Sequence, residues 1–242
     1  MDRMAEAAAI PAWDDAGDAL FAPLRAPVGM GCSFVLGRVA QSLDGFIATR
    51  DGESVWISGP DDLRHTHRLR ALSDAIVVGA RTIRADNPRL TTRLVDGPSP
   101  VRVILDPERR LTEDFRVFQG GPETLLLHGK GSASAGRMGH AHVLAVLRAA
   151  EGLDIAAILG VLRERGLRRI FVEGGGVTVS RFLAAGALDR LHVTVAPLVM
   201  GGGVPAFPIP PVARLEDGRR FAWTAHRIGA DVLFDIPLVR TV

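Results

Sequence analysis

The chain contains no tyrosine, one lysine and one cysteine among its 242 residues. One cysteine cannot form an intramolecular disulfide, and without a Cys-x-x-Cys pair a cysteine-rich zinc site is excluded. A reducing, cytoplasmic location is therefore expected. The pI is about 9.4 although the formal net charge is only +2, because few groups titrate between about pH 7 and pH 10. The high pI is thus weak support for nucleic-acid binding, and no nucleic-acid partner is expected.

Long apolar runs are also missing. No stretch of about 18 apolar residues occurs, so no membrane span is expected. Residues 1–32 are rich in Ala, Pro and Asp, and Asp14, Asp15 and Asp18 interrupt any signal-peptide core. We expect this segment to be a partly disordered extension. The remainder, 33–242, has the length and apolar content of a single domain, although composition alone also allows two small ones.

Short apolar runs alternate with helical patterns along residues 33–242. The predicted strands are residues 33–40, 75–79, 101–105, 124–128, 142–147, 170–172, 191–200, 222–228 and 231–239. The predicted helices are residues 58–72, 82–85, 154–165 and 177–185. This alternation predicts an α/β fold with a mostly parallel, mixed sheet, helices on both faces and a C-terminal antiparallel hairpin. Ligands of such sheets bind beyond the carboxyl ends of the strands.

Some local features lead to narrower expectations. Ser58 is predicted to cap the first of these helices. His65 and His67 are two apart, so a helix turns them to different sides, and we expect solvated histidines rather than a metal pair. Residues 130–139 are small and polar and predict a mobile loop. His140 and His142 can share a strand face, but no further ligand is near in sequence, so no metal is expected.

Three consecutive glycines stand between a predicted strand and a predicted helix. Glu173 ends the strand, Gly174 to Gly176 follow, and the helix begins near Val177. Glycine lets the backbone approach a ligand closely, and a helix start attracts phosphate. The stretch is not a dinucleotide-binding fingerprint, because Val179 stands where a glycine is needed, and it lacks the Gly-Lys-Ser/Thr of a P-loop. A tight turn without a ligand is the alternative interpretation.

Six stretches in order are similar to one known family. They are VAQSLDG (39–45), SVWI (54–57), LRALSDAI (69–76), VGARTIRADNPRLTTR (78–93), VRVILD (101–106) and EGGG (173–176). Together they resemble the reductase domain of the bacterial riboflavin-biosynthesis deaminase–reductase, which has the dihydrofolate-reductase-like fold. The resemblance extends from Ser33 to the C-terminus.

This resemblance implies an NADPH-dependent reduction of a ribosylaminopyrimidine phosphate, in which the ribose ring opens and C1′ receives hydride. It also implies a homodimer that uses the C-terminal strands. The positions that match cofactor contacts are Ala40, Trp56, Thr82, Asp86, Gly174, Gly175, Gly176, Val177, Thr178, Val179 and Ser180. The positions that match substrate contacts are Ser54, Arg70, Leu90, Arg93 and Glu173.

The residue types suit these roles. Arg70 and Arg93 can each bind a phosphate with two parallel hydrogen bonds. Glu173 and Asp86 are the candidate general acids, and Asp44 is a third, although its Asp-Gly turn is reason enough for it. Taken alone, each residue also has a purely structural interpretation. The arginines can lie on the surface and Trp56 can pack against other side chains. Glu173 can pair with Arg168 or cap a helix, Thr82 can cap a helix, and Asp86 can begin a turn. Because all these residues match the family's positions in the same order, the functional interpretation is favoured.

Several features depart from the family pattern. Arg38 stands where lysine is common, Phe46 where a basic residue is common, and Asn87 where a second aspartate is common. The zinc deaminase motif, His-x-Glu followed by Pro-Cys-x-x-Cys, is absent from this chain. We therefore expect that a separate protein deaminates the substrate, or that the substrate differs. The open alternatives are a reductase of a pterin or dihydrofolate, a non-catalytic nucleotide-binding protein and a nucleic-acid binder.

Overall fold

The structure is a computed structural model that describes residues 15–54, 57–131 and 136–241. The α-helices in these ranges are α1 (Asp15–Arg25), α2 (Pro60–Ala71), α3 (Ala80–Asp86), α4 (Ile155–Glu164) and α5 (Gly176–Ala184). The strands are β1 (Phe34–Gln41), β2 (Phe46–Ala48), β3 (Ala75–Gly79), β4 (Val101–Leu105), β5 (Thr124–Gly129), β6 (Gly136–Met138), β7 (Ala141–Val146), β8 (Arg148–Ala149), β9 (Gly152–Leu153), β10 (Arg169–Glu173), β11 (Arg190–Val195), β12 (Val204–Pro205), β13 (Thr224–Ile228) and β14 (Asp231–Pro237). Two short 3₁₀ turns add Arg116–Phe118 and Leu215–Asp217.

The described residues form one large sheet of ten strands and two small two-stranded ladders. The large sheet has the order β13-β14-β11-β1-β10-β3-β4-β5-β7-β6. All neighbours from β11 to β7 are parallel, whereas β14 and β6 run antiparallel to them and β13 pairs antiparallel with β14. The small ladders pair β12 with β2 and β8 with β9. The predicted mixed, mostly parallel sheet with a C-terminal hairpin is confirmed.

Helices cover both faces of the large sheet, as predicted. Along β3, Ala75 and Val77 point into one hydrophobic core, while Ile76 and Val78 point into the other. The first core is closed by α4 and α5, and the second by α1, α2 and α3. Strands buried on both faces are apolar at successive positions, which explains why these runs were visible in the sequence.

The central strands bring the site together. β10 lies between β1 and β3, so the carboxyl ends of these three strands are neighbours at one edge of the sheet. The chain leaves these ends at Gln41, Glu173 and Gly79. Residues close to these positions come from distant parts of the sequence, as expected for a ligand site in this class of fold.

The N-terminal segment contains α1, whose Leu20, Phe21 and Leu24 are buried in the second core. Residues 1–14 lie outside the described part of the chain. Strand β11 ends at Val195, earlier than residue 200, because Pro197 has no N–H to continue a ladder. Within the stretch predicted to be a mobile loop, β6 pairs with β7, so that prediction is wrong for residues 136–138. Residues 132–135 are outside the described ranges.

Two predictions about α2 are wrong. The N-cap is Gly59, without a side-chain hydrogen bond, and the Ser58 hydroxyl donates instead to Asp62 Oδ2 at 2.5 Å. His65 and His67 are both 1% exposed rather than solvated. α2 is covered on more than one side, since His65 contacts His192 of β11 while His67 faces the chain after α3. In the described ranges no helix is long and apolar enough to cross a membrane.

Candidate active site

The loop after β10 is built by glycines that the surrounding protein requires. Gly174 and Gly175 have φ angles of +64° and +62°, in the left-handed region that favours glycine. A Cβ at Gly175 would lie 2.7 Å from Thr82 Oγ1, and a Cβ at Gly176 would lie 2.8 Å from Pro205 O. The loop therefore packs closely against α3 and against the segment that follows β12, which joins these elements around the strand end.

The N-terminus of α5 suits an anion. Gly175 is its N-cap without a side-chain hydrogen bond, and its first turn has no acidic residue. The partial positive charge of a helix start is therefore not offset by the protein's own side chains. Val177 is exposed and Thr178 half-exposed, while Val179 lies in the first core and the buried Ser180 hydroxyl has no hydrogen-bond partner among the described residues. The outer part of the loop is the accessible part.

Arg70 and Glu173, both predicted substrate contacts, bind each other. Arg70 Nε donates to Glu173 Oε2 at 2.8 Å, and Arg70 Nη2 donates to Glu173 Oε1 at 2.5 Å. Arg70 Nη1 donates to the Thr91 carbonyl at 3.0 Å. The side chains are only 7% and 15% exposed, so the pair is shielded from solvent. Glu173 therefore has Arg70 as its partner and does not cap α5.

Arg93 is the more accessible arginine of this region. Its Nη1 donates to Thr91 Oγ1 at 2.8 Å, and its side chain has no carboxylate partner among the described ion pairs. Burial and the positive charges of Arg70 and Arg89 lower the pKa of Arg93. The three guanidinium groups thus create a positive potential beside Glu173. Leu90 is buried, with a φ of +55°, and fixes the chain just before this segment.

His67 is a residue of this site that sequence reasoning missed. Its Nδ1 accepts the main-chain N–H of Arg93 at 2.9 Å and that of Leu94 at 3.4 Å. Burial, followed by the charges of Arg70 and Arg93, lowers its pKa to about 4. A signal was available, because His67 and Arg70 are three apart and lie on one face of a helix.

α3 contributes Thr82 and Asp86. Thr82 faces the glycine loop and does not cap α3, whose N-cap is Gly79. Asp86 is the last residue of α3, and Ser54 Oγ donates to its Oδ1 at 3.3 Å. Burial raises the pKa of Asp86, and the Ser54 hydrogen bond opposes this shift. Although its surface is exposed, Asp86 is a carboxyl group of this region whose pKa is raised rather than lowered.

Asp44 is held in a different role. Ser42 Oγ donates to Asp44 Oδ1 at 2.6 Å, and the main-chain N–H groups of Met200 and Gly201 donate to the same carboxylate. The Ser42 hydrogen bond is the main cause that lowers the pKa of Asp44. Asp44 thus stays ionised and anchors the turn at 200–201, so it is a poor candidate for the general acid.

Comparison with known proteins agrees with this geometry. The family described as the RibD C-terminal domain matches residues 33–223. The chain belongs to the RibD C-terminal domain family. The 2,5-diamino-6-ribosylamino-4(3H)-pyrimidinone 5′-phosphate reductase of Methanothermobacter thermautotrophicus is 37% identical over 70% of this chain and 80% of its own length. Riboflavin biosynthesis protein RibD of Bacillus amyloliquefaciens is 35% identical over 71% of this chain and 47% of its own length.

A solved structure gives the same result for the fold. The Thermotoga maritima diaminohydroxyphosphoribosylaminopyrimidine deaminase/5-amino-6-(5-phosphoribosylamino)uracil reductase is 30% identical, with a TM-score of 0.73 over 86% of this chain and 57% of that one. This chain therefore spans about half the length of the RibD relatives that it matches. The resemblance and the fold class predicted from the sequence are both confirmed.

The residues at which this RibD C-terminal domain departs from the expected pattern have structural roles. Arg38 is buried and forms an ion pair with Asp62. Asn87 is the left-handed C-cap of α3, with a φ of +40°, and its Oδ1 accepts the N–H of Arg116 at 2.9 Å. Phe46 begins β2 and pairs with Pro205 in the small ladder.

Two other predicted positions of this RibD C-terminal domain are less connected to the site. Ala40 is half-exposed near the carboxyl end of β1, where it pairs with Thr194. Trp56, a predicted cofactor contact, lies outside the described residues. In the described ranges, no group of three or more His, Cys, Asp or Glu side chains is arranged to hold a metal ion.

Proposed function

We propose that this chain is an NADPH-dependent reductase of a ribosylaminopyrimidine 5′-phosphate in riboflavin biosynthesis. The relative from Methanothermobacter is named as a reductase of such a substrate and is matched over most of its length. The single observation that carries the proposal is the cluster of Arg70, Glu173 and Arg93 beside the uncapped start of α5. This arrangement offers a phosphate site and an anionic hydrogen-bond acceptor next to a second anion site.

The glycine loop fits a dinucleotide cofactor. The start of α5 lacks both a cap and an acidic residue, so its N–H groups suit the pyrophosphate. Thr82 lies beside Gly174 and Gly175, Thr178 lies beside Gly79 at the start of α3, and Val177 is exposed. Together with Gly174 to Gly176, Ala40, Trp56, Asp86 and the backbone of Val179 and Ser180, they form the proposed cofactor contacts. When bound, the reduced nicotinamide supplies hydride to the substrate.

The substrate contacts follow from charge and geometry. Arg93 is exposed and lies in a positive potential, so it binds the 5′-phosphate. Glu173 already accepts two hydrogen bonds from Arg70, which fix its carboxylate for a ribose or pyrimidine donor. Ser54 and the buried Leu90 complete the proposed contacts.

Asp86 is the proposed proton donor. During the reaction the C1′–O4′ bond of the ribose breaks, its electron pair moves to O4′, and O4′ takes a proton. The adjacent nitrogen forms a double bond to C1′, and hydride addition at C1′ completes the reduction. Partial burial raises the pKa of Asp86, which is the direction that favours a proton donor.

The first experiment follows the loss of NADPH absorbance with three substrates. These are the deaminated ribosylaminouracil 5′-phosphate, its diamino precursor and dihydrofolate. We expect turnover with one or both ribosylaminopyrimidine phosphates and none with dihydrofolate. Turnover with dihydrofolate alone would show that the substrate is a different heterocycle. NADPH binding without turnover of any substrate would instead support a non-catalytic nucleotide-binding protein.

A homodimer is also proposed, with the hairpin β13–β14 at the interface. β13 is at the edge of the large sheet, and an edge strand offers main-chain groups for pairing. Trp223, which packs edge-on against Phe234 at 5.1 Å, and Val232 add exposed apolar surface there. Light scattering at micromolar concentration should give twice the chain mass, and Trp223→Glu should shift it toward the monomer. A monomer mass for the unmodified chain would reject this proposal.

A further inference from the structure

The segment that carries Arg93 has no regular secondary structure of its own. Residues 87–100, between α3 and β4, belong to no helix or strand. Within it, the Thr92 N–H donates to Ser99 Oγ at 3.1 Å, and Thr92 Oγ1 donates to the Pro98 carbonyl at 2.9 Å. These bonds close the segment on itself but do not fix it to the sheet. Leu90 anchors the start of the segment in the second core, and the position of residues 91–94 comes from contacts with other elements.

α2 supplies these contacts through two side chains one turn apart. Arg70 donates to the Thr91 carbonyl, and His67 Nδ1 accepts the N–H groups of Arg93 and Leu94. The same helix therefore holds the segment from both sides of Thr92. His67 Nδ1 is the one described side-chain acceptor of the Arg93 N–H. The position of the Arg93 main chain, and hence the reach of its guanidinium, is set from α2.

We infer that His67 is a positioning residue for phosphate recognition, which holds the main chain of Arg93 so that its guanidinium meets the substrate phosphate. The inference rests on the proposed function, because it needs a phosphorylated substrate at Arg93. His67 does not touch the substrate. Its contribution is a buried acceptor at one place, which keeps a loop arginine ordered before the substrate arrives and so reduces the entropy lost on binding.

The state of His67 fits this role. Nδ1 accepts two N–H groups, so it must carry a lone pair, and any ring proton is on Nε2. Arg70 and Arg93 both oppose a positive charge on the ring, Glu173 favours one, and burial keeps the ring neutral at pH 7. In a protonated ring, Nδ1–H would face the Arg93 N–H. Two donors cannot form a hydrogen bond, so the Arg93 main chain would be released.

The test compares amide substitutions that differ in where the acceptor lies. His67→Asn places an amide oxygen near the position of Nδ1, whereas His67→Gln places it one bond further out, and His67→Leu removes it. We expect Leu and Gln to raise KM for the phosphorylated substrate about 10-fold, with kcat within about 3-fold and KM for NADPH unchanged. Asn should restore KM to within about 3-fold of the unmodified protein. His142→Gln, at an exposed histidine of β7, is the control and should change neither constant.

The dephosphorylated substrate and Arg93→Ala separate positioning from general damage. His67→Leu should leave KM for the dephosphorylated substrate within about 2-fold, and should add little in an Arg93→Ala background. Equal losses with both substrates, or additive effects of His67→Leu and Arg93→Ala, would overturn the inference. If His67→Leu does not fold, the comparison of Asn with Gln decides, and equal KM values for those two variants would overturn it.

Calorimetry with ribose 5-phosphate distinguishes failure of this inference from failure of the proposed function. If the unmodified protein reduces none of the substrates, the proposed function fails, yet the affinity for ribose 5-phosphate can still be compared between variants. His67→Gln should weaken that affinity about 10-fold relative to His67→Asn, and ribose without phosphate should show no such difference. Equal affinities of the two variants for ribose 5-phosphate would overturn the role of His67 by itself.

Discussion

Arg70 and Glu173 form a shielded ion pair that serves both the fold and the site. Their two hydrogen bonds occupy Nε and Nη2 of Arg70, while Nη1 reaches the Thr91 carbonyl. A buried guanidinium that loses its carboxylate partner keeps its desolvation cost without the compensating attraction. Substitution of Glu173 should therefore affect stability as well as substrate recognition, which makes a stability measurement a necessary part of any kinetic study of this residue.

Glu173→Ala should lower the free energy of unfolding by about 3 kcal/mol, because it leaves Arg70 unpaired in a shielded position. Urea denaturation measures this change. The matched control is Glu108→Ala, whose partner Arg148 and whose own side chain are 37% and 47% exposed, and for which we expect a clearly smaller loss because solvent screens the pair. Equal losses for the two variants would contradict the difference in shielding.

Ser54→Ala should shift the pH dependence of kcat. Burial raises the pKa of Asp86, and the hydrogen bond from Ser54 lowers it. Without that bond the carboxylate is less stable, so the pKa rises further and the protonated form persists to higher pH. If Asp86 donates the proton, kcat falls as pH rises through this pKa, and the falling limb should move to higher pH in Ser54→Ala. A limb that does not move, or that also persists in Asp86→Asn, would argue against Asp86.

The sequence predicted several site residues but could not reveal all of their contacts. Glu173 and Arg70 were both predicted, yet their mutual bond joins positions 103 apart in the chain and has no local signature. His65 and His67 were predicted to be solvated because they lie two apart and a helix turns them to different sides, but spacing shows only which side chains share a face. Whether a face is covered depends on β11 and the 90–94 segment, which come from other parts of the sequence.

At the scale of elements, the loop between β10 and α5 depends on glycine for both backbone and space. Gly175→Ala should lower the free energy of unfolding by about 3 kcal/mol, since it combines a positive φ with a close approach to Thr82 Oγ1. It should also weaken NADPH binding about 10-fold by moving the start of α5. Thermal unfolding and fluorescence titration measure the two effects.

Gly166→Ala is the control that isolates the cost of a positive φ without a close approach. Gly166 also has a positive φ, of +74°, but a Cβ there would meet nothing within 4 Å. We expect a loss of about 1 kcal/mol in the free energy of unfolding and no change in NADPH affinity. A similar loss of NADPH affinity in both variants would show that the close approach to Thr82 is unimportant.

Elements with strong local signatures were predicted well. β3, β4 and β5 are apolar at nearly every position because both of their faces are buried, and a run of that kind is visible in any window. α4 was recognised from its amphipathic spacing and from Gly166, which follows its end. The structure adds that the Asp154 side chain accepts the N–H of Ala157 at its start. β6 was missed because it has only three residues at a sheet edge, two of them exposed to solvent, and so has no pattern to detect.

For the molecule as a whole, buried neutral histidines link stability to pH. The pKa values of His65 and His192 are lowered by burial, and that of His67 is lowered to about 4. In the unfolded chain these groups titrate near pH 6.5. Between these values the unfolded state binds more protons, so the free energy of unfolding falls as pH falls. Stability is thus greatest above about pH 6.5 and is lost toward pH 4.

The slope of this dependence can be measured by urea denaturation between about pH 7 and pH 5. Each histidine contributes at most about 1.4 kcal/mol per pH unit to the slope of the free energy of unfolding. His65→Gln should remove about one third of the histidine contribution, because Gln does not titrate. A slope that is the same in the unmodified protein and in His65→Gln would contradict this account.

The order of the strands is a property of the whole molecule that the sequence did not reveal. The alternation of strands and helices predicted a parallel sheet, but the position of β10 between β1 and β3 follows from packing of residues more than 90 apart in the chain. That position makes the three strand ends neighbours. The order of the sheet, rather than any single motif, brings the chain near residues 41, 79 and 173 to one edge of the sheet.

The hydrogen bond from the Arg93 amide to His67 has a consequence for isotope labelling. Amide protons in segments without helix or strand usually exchange with heavy water quickly, yet the Arg93 N–H donates a hydrogen bond to the buried ring of His67. Arg93 should therefore appear as a slowly exchanging position within a fast-exchanging stretch of the peptide map. Its exchange rate then reports how often this segment opens, and it can be measured without any substrate, cofactor or attached label.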